Sequence, residues 1–147
     1  MPYIPVHITD ASFAQGKVLR MDLTEDDGLI LKSGTTERSK FFVVMGENMD
    51  QGIVGSLLIN SNINTNIIRT KELLDCQFPL KGDEYDFLNH DSYLNCSKIF
   101  PLDKVKIRRE AHEVGNLNDR DLSLVIDHII NSEVISMKEK KRYRIVV

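Results

Sequence analysis

The sequence predicts a mainly-β domain in which a small barrel or strongly bent sheet is covered by one amphipathic helix. Short apolar or alternating segments recur along the chain between turn residues, which is typical of such β architectures. One later segment instead repeats its apolar residues with the period of a helix. A length of 147 residues suits one domain, and we expect residues 1–147 to form it.

The first half of the chain predicts one short helix and several strands. Residues 9–15 are expected to be helical, with Thr9 as the N-cap. Residues 16–23 alternate apolar and polar side chains, as a strand with one buried face does. Residues 41–45 form a continuous apolar run, which favours a fully buried strand. Residues 53–59 are expected to pair with that strand as an antiparallel hairpin, with Gly55 allowing a large group to approach closely.

The second half predicts shorter strands and then the main helix. The strands are expected at residues 76–80, 92–99 and 105–108. The helix is expected over residues 118–132, with Asn118 as its N-cap. Its apolar stripe consists of Leu122, Val125, Ile126, Ile129 and Ile130. A second short helix is expected after Ser136.

Composition indicates a cytoplasmic protein. The net charge of −3 lacks the strongly basic balance of many nucleic-acid-binding proteins. No segment is apolar enough to span a membrane, and the first residues do not resemble a signal peptide. We therefore expect Cys76 and Cys96 to be reduced and partly buried, and we predict neither a metal site nor a cofactor.

Histidines and basic clusters have ordinary structural interpretations. His90 lies in a His-Asp-Ser run, but three neighbours in sequence cannot form a catalytic triad, so a turn is the favoured interpretation. Basic residues concentrate at 104–109 and 138–144. Either cluster is a candidate for contacts with phosphates, or else a solvated surface.

The two ends of the predicted hairpin form the most suggestive site. Arg38 ends a long polar segment, residues 24–40, and a loop of that length is often functional or mobile. Asn60 and Ser61 follow the partner strand, so they are expected at the same side of the hairpin as Arg38. A guanidinium facing hydroxyl and amide groups suits a phosphate. Ordinary polar loop ends are the alternative.

The order of these segments resembles the PemK/MazF family of toxin endoribonucleases. Residues 16–23 are similar to the family's opening strand. Arg38 lies where the family has an Arg-Pro pair leading into a buried Val-rich strand. The other similar segments are 53–61 (a strand ending in Thr or Ser), 91–99 (Asp-Ser followed later by Ile), and 102–104 with 114–122 (the closing strand, a Gly-x-Leu turn and the final helix).

The resemblance implies an SH3-like barrel closed by the C-terminal amphipathic helix and assembled as a homodimer. It also implies a type II toxin that cleaves single-stranded RNA without metal or cofactor and is inhibited by a small antitoxin protein. In this chemistry a ribose 2′-hydroxyl attacks the adjacent phosphate. An arginine stabilises the developing charge or donates a proton, and a Thr or Ser hydroxyl assists.

On this chain the resemblance assigns catalysis to Arg38 and to Ser61 or Asn60. The family's proline is replaced by Ser39, and an ungapped alignment places Ser39 and Asn60 at the arginine and hydroxyl positions. A non-catalytic barrel that binds nucleic acid or a protein partner therefore stays open as the alternative, as does a protein adaptor. RNA contacts are assigned to five polar side chains, namely Lys40, Thr35, Thr36, Asn62 and Asn64.

Overall fold

The computed structural model describes residues 6–63 and 68–146, which form eight strands and four α-helices. The strands are β1 (Val6–His7), β2 (Lys17–Leu23), β3 (Arg38–Asn48), β4 (Ile53–Asn60), β5 (Gln77–Leu80), β6 (Ser92–Asn95), β7 (Phe100–Asp103) and β8 (His112–Asn116). The helices are α1 (Lys71–Asp75), α2 (Lys104–Glu110), α3 (Asp119–Asn131) and α4 (Met137–Arg142). Two short 3-10 helices, Asp10–Phe13 and Glu25–Asp27, follow β1 and β2.

All eight strands belong to one antiparallel sheet, so the mainly-β prediction is confirmed. The strand order is β1-β8-β2-β3-β4-β6-β5, and β7 pairs with β4 beside this path. Within residues 6–63 and 68–146 the two outermost strands, β1 and β5, do not pair with each other. The sheet is therefore open across the described residues.

Both faces of the central hairpin are buried, which explains its continuous apolar sequence. Val43 and Met45 of β3 pack in one cluster together with the buried side of α3. Phe42 and Val44 point the other way, into a second cluster that includes Ile107 of α2. Since successive strand residues face opposite sides, only a strand covered on both faces is apolar throughout.

Helix α3 confirms the predicted amphipathic helix. The Asn118 side chain accepts a hydrogen bond of 2.7 Å from the Asp121 N–H, which satisfies a free donor of the first turn. Val125 and Ile129 are fully buried against the sheet. Ile130, by contrast, is 39% exposed, so the expected stripe is one residue too wide. The second helix expected after Ser136 is α4.

The strand predicted at 105–108 is wrong, because this segment is helix α2. Val105 and Ile107 alternate with basic residues as in a strand, yet Val105 is 65% exposed and only Ile107 is buried. The Asp103 carboxylate caps the helix by accepting a hydrogen bond from the Val105 N–H at 3.1 Å. The sequence does not predict β7 and β8 as separate strands, and β3 begins three residues before the expected run.

Gly55 has the close contact that its position in a strand predicts. A Cβ atom there would lie 2.6 Å from Cγ of Tyr143, whose ring packs on β4. Cys76 and Cys96 are both free and buried, as expected. Burial is the first cause that raises the pKa of the Cys96 thiol, to about 12, so this thiol stays protonated near neutral pH.

Candidate functional site

The beginning of β3 lies beside the end of β4, as the sequence predicts. Phe41 of β3 pairs with Ile59 of β4 in antiparallel register. One step further along, the Lys40 ammonium donates a hydrogen bond of 2.6 Å to the Asn60 side-chain oxygen. Arg38 and Ser61 therefore extend from the same side of the hairpin, away from its connecting turn.

A small open pocket of about 150 Å³ lies at these strand ends. Residues 38–41 of β3 border it, together with Ile59 and Ser61 on the β4 side. The connection between β5 and β6, residues 81–91, supplies the opposite wall through residues 87–90. Phe41 and Phe87, which both line the pocket, contact each other with ring centroids 5.3 Å apart.

Register explains why a distant loop joins this pocket. Asn60 pairs with Tyr93, so the end of β4 lies beside the beginning of β6. Ser92, the first residue of β6, lines the pocket together with Ser61. Any chain that enters an antiparallel partner strand must arrive where the neighbouring strand ends. The β5–β6 connection is thereby placed next to Arg38.

Lys40 is a buried cation with no compensating anion among the described residues. Its side chain is only 7% exposed, and none of the ion pairs in this part of the chain includes Lys40 or Arg38. Burial, and after it the positive charge of Arg38, lowers the pKa of Lys40 to about 8. Burying an unpaired charge is unfavourable. A bound anion would supply the missing partner.

Two further polar groups shape the same edge of the sheet. The Arg20 Nε donates a hydrogen bond of 2.7 Å to the Ser39 hydroxyl, which places a third cationic side chain near the strand ends. The Ser39 hydroxyl is thus already engaged in a hydrogen bond within the protein. Arg38 and Ser61 are exposed and border the pocket directly.

The structure brings together only part of the predicted set. Arg38, Lys40 and Ser61 line the pocket, and Asn60 lies behind it as the partner of Lys40. Among the described residues that border the pocket, the remaining candidates do not appear: Thr35 and Thr36 lie exposed before β3, and Asn62 is exposed beyond Ser61. Asn64 lies outside the described residues.

His90 also borders the pocket, although the sequence indicates only a turn there. Its run His90-Asp91-Ser92 precedes β6. A pairing of β4 with β6 is the signal that would have revealed this placement, since it sets the residues before β6 beside those after β4. Such a pairing joins residues far apart in sequence, which local patterns do not encode.

The basic cluster at 104–109 is neutralised by ion pairs. Its four cationic residues belong to α2, and each has a carboxylate partner: Lys104 with Glu47 (2.6 Å), Lys106 with Asp27 (2.5 Å), Arg108 with Asp10 (2.6 Å) and Arg109 with Glu110 (3.0 Å). The first three ion pairs link α2 to neighbouring segments, and the fourth lies within α2. They form a poor phosphate-binding patch.

One basic residue of the C-terminal cluster has a structural role. Lys140 is 3% exposed, and its ammonium donates to the carbonyl oxygens of Ile130 (3.0 Å) and Ser132 (2.8 Å). A cation there complements the negative end of helix α3. The other basic side chains of α4 are exposed. Within the described residues no His, Cys, Asp or Glu group is arranged to hold a metal, and no helix has the length and apolar character to cross a membrane.

Replacing Lys40 by Met is expected to stabilise the fold. Below about pH 8 the folded protein bears the full cost of the buried charge. Between pH 8 and 10.5 the unfolded chain binds more protons at Lys40 than the folded protein does, so the free energy of unfolding should rise with pH. We expect Lys40→Met to raise the free energy of unfolding at pH 7 by roughly 1–3 kcal/mol. Urea unfolding at pH 7 and pH 9.5 measures both effects.

The exposed Lys32 provides the matched control. Lys32→Met should leave the unfolding free energy and its change with pH near the wild-type values. Equal pH dependence in wild type and Lys40→Met would contradict the buried-charge interpretation of Lys40.

No protein-family model matches this chain, and no curated protein sequence matches it.

Proposed function

We propose that the protein is a metal-independent endoribonuclease of the PemK/MazF type, the toxin of a type II toxin–antitoxin pair, acting on single-stranded RNA. One observation carries the proposal: Arg38 and Ser61, the residues assigned by resemblance, border a single pocket beside Lys40, a buried cation without a carboxylate partner among the described residues. Cations and hydroxyl groups are the partners that a phosphodiester requires.

The pocket supports phosphoryl-transfer chemistry through charge. The scissile phosphate would lie against the Arg38 guanidinium, whose planar donors suit two phosphate oxygens. Lys40 adds a second positive charge that stabilises the negative charge on the phosphoryl oxygens in the transition state. The Ser61 hydroxyl assists by hydrogen bonding to the reacting groups. The 2′-oxygen bonds to phosphorus, the bond to the 5′-oxygen breaks, and a cyclic phosphate and a 5′-hydroxyl result.

The bending of the sheet supports an SH3-like barrel closed by α3 as the proposed fold. Strand β4 pairs with β7 over residues 53–56 and with β6 at residues 59 and 60. A strand that changes partner along its length belongs to a sheet that bends sharply, as the strands at the corners of small barrels do. The α3 helix packs on one face of that sheet.

As a toxin of this type the protein would act in the cytoplasm as a homodimer and be inhibited by a small antitoxin protein. A short neighbouring gene for a partly disordered protein would support the pairing, and light scattering of the purified chain measures the dimer.

Incubation with single-stranded RNA tests the proposed activity. The purified protein should cut RNA in the presence of excess chelator and leave 2′,3′-cyclic phosphate ends, since the attacking group belongs to the RNA. A double-stranded RNA of the same sequence is the control and should survive. Intact single-stranded RNA at high protein concentration would disprove a nuclease.

A non-catalytic RNA-binding domain is the second candidate. Two hydrogen bonds favour it, those of Arg20 with Ser39 and of Lys40 with Asn60. Side chains that already hydrogen-bond within the protein can hold a phosphate without taking part in a reaction. A gel shift that weakens with salt, without any cleavage, would identify this candidate. The absence of any shift even at low salt would exclude RNA binding.

A further inference from the structure

The chain has four histidines, and the structure gives one of them a special position. His90 borders the same pocket as Arg38 and Ser61. His7 and His112 contact each other across the β1–β8 pair, with ring centroids 6.0 Å apart. His90 is exposed and is the only histidine among the described residues lining this pocket, so its ring is accessible to a ligand there.

The backbone of His90 is held in place by close contacts with the start of the β5–β6 connection. A Cβ atom at Gly82 would lie 2.8 Å from the carbonyl carbon of His90, so the two segments pass each other only because position 82 is glycine. The Gly82 N–H also donates to the Asp91 carboxylate at 2.8 Å. The Ser92 hydroxyl donates to the His90 carbonyl oxygen at 3.3 Å.

The rest of the connection is anchored in the protein interior. Phe87 and Leu88, which precede His90 by three and two residues, are buried. The Tyr85 hydroxyl donates a hydrogen bond of 2.5 Å to Asp121 at the beginning of α3. These contacts tie the wall of the pocket to the core. Preorganised groups of this kind are what acid–base chemistry requires.

A local hydrogen bond decides which ring nitrogen of His90 is free. Nδ1 lies 2.8 Å from the carbonyl oxygen of Asp91. A carbonyl oxygen only accepts hydrogen bonds, so Nδ1 must carry the proton. In the neutral ring, Nε2 is then left with a lone pair, as a base requires.

We propose that His90 is a catalytic general base of this pocket, an inference that rests on the proposed ribonuclease activity. Nε2 removes the proton of the ribose 2′-hydroxyl while the 2′-oxygen bonds to phosphorus. The bond between phosphorus and the 5′-oxygen breaks, and the 5′-oxygen takes a proton from water. The hydroxide left behind removes the proton from the imidazolium, which restores the neutral ring. Arg38 stabilises the charge, and His90 moves the proton.

Glutamine at position 90 tests the assignment in the RNA cleavage assay with chelator. His90→Gln should lower the single-turnover cleavage rate by roughly 100-fold or more, the usual contribution of a positioned base. His112→Gln, which changes an exposed histidine away from the pocket, should stay within about twofold of the wild type. Because His90 is exposed, the circular dichroism spectrum of His90→Gln should match that of the wild type.

Chemical rescue separates a missing base from a disturbed loop. Added imidazole should restore part of the cleavage by His90→Ala and should not affect Arg38→Ala. In addition, the ring signals of His90 should move in NMR spectra when inorganic phosphate is added, while those of His112 stay in place.

The outcomes distinguish the two proposals. If the wild type cuts RNA and His90→Gln cuts within about threefold of it, His90 is not the base, although the ribonuclease proposal stands. A wild type that does not cut overturns the ribonuclease and the base together. Cleavage without any phosphate effect on the His90 signals would also overturn the placement of His90 at the reacting phosphate.

Discussion

Arg38→Ala should reduce RNA cleavage by roughly 100- to 1,000-fold, the usual cost of removing one group that stabilises transition-state charge. Arg38 borders the pocket and forms no ion pair with the described residues, so its charge is available to a substrate. Arg38→Lys should recover only part of the rate, because an ammonium cannot bind two phosphate oxygens in one plane. Single-turnover rates with excess protein measure these effects.

Arg109→Ala is the matched control for Arg38→Ala. Arg109 is exposed on α2 and bonded to the neighbouring Glu110, so its removal should change the rate less than about twofold. The salt dependence of RNA binding adds a second measurement. Loss of one phosphate contact should flatten the slope of log K against log salt by about 0.7 in Arg38→Ala. Cleavage by Arg38→Ala at the wild-type rate would refute the role of Arg38.

Gly46→Ala should lower the free energy of unfolding by about 3 kcal/mol, the upper range for an overpacked core. A Cβ atom at Gly46 would overlap the carbonyl oxygen of Tyr143, which is backbone and cannot turn away. Tyr143 is 4% exposed and connects the C-terminal segment to the central hairpin. The substitution therefore either displaces that segment or distorts β3. Urea unfolding measures the loss.

Tyr143→Ala provides a control, because different atoms of Tyr143 would clash with a Cβ at Gly55 and at Gly46. At Gly55 the obstacle is the Tyr143 ring, so Tyr143→Ala should relieve most of the strain of Gly55→Ala. At Gly46 the obstacle is the carbonyl oxygen, so Tyr143→Ala should not relieve it. Gly34→Ala, with no atom within 4 Å of the new Cβ but a φ of +83°, should cost only about 1 kcal/mol. Relief of Gly46→Ala by Tyr143→Ala would contradict the backbone contact.

Local chemistry explains which elements the sequence predicts correctly. The cap of α3 is an interaction between Asn118 and a residue three positions away, and the helical stripe is a periodicity within one segment. The β3–β4 hairpin joins two neighbouring segments across a short turn. Arg38 and Ser61 are predicted to meet for the same reason, since the ends of a hairpin lie together in any arrangement of the rest.

Non-local contacts decided the remainder. The run 104–108 alternates like a strand, and the ion pairs of α2 with Asp10, Asp27 and Glu47 come from parts of the chain that no local pattern links to it. Ile130 has the right helical phase for the stripe, yet 39% of it is exposed, and only the packing of the assembled protein decides that.

The sequence by itself determined that the chain forms buried β strands and one amphipathic helix, and that Arg38 and Ser61 end the same hairpin. Those features depend on residues close together in sequence. The tertiary structure alone decided that Lys40 is buried without an anionic partner in residues 6–63 and 68–146, and that His90 joins the pocket. The position of His90 depends on the pairing of β4 with β6, which joins segments far apart in sequence. The burial of Lys40 depends on packing between distant segments, since burial is a property of the assembled protein.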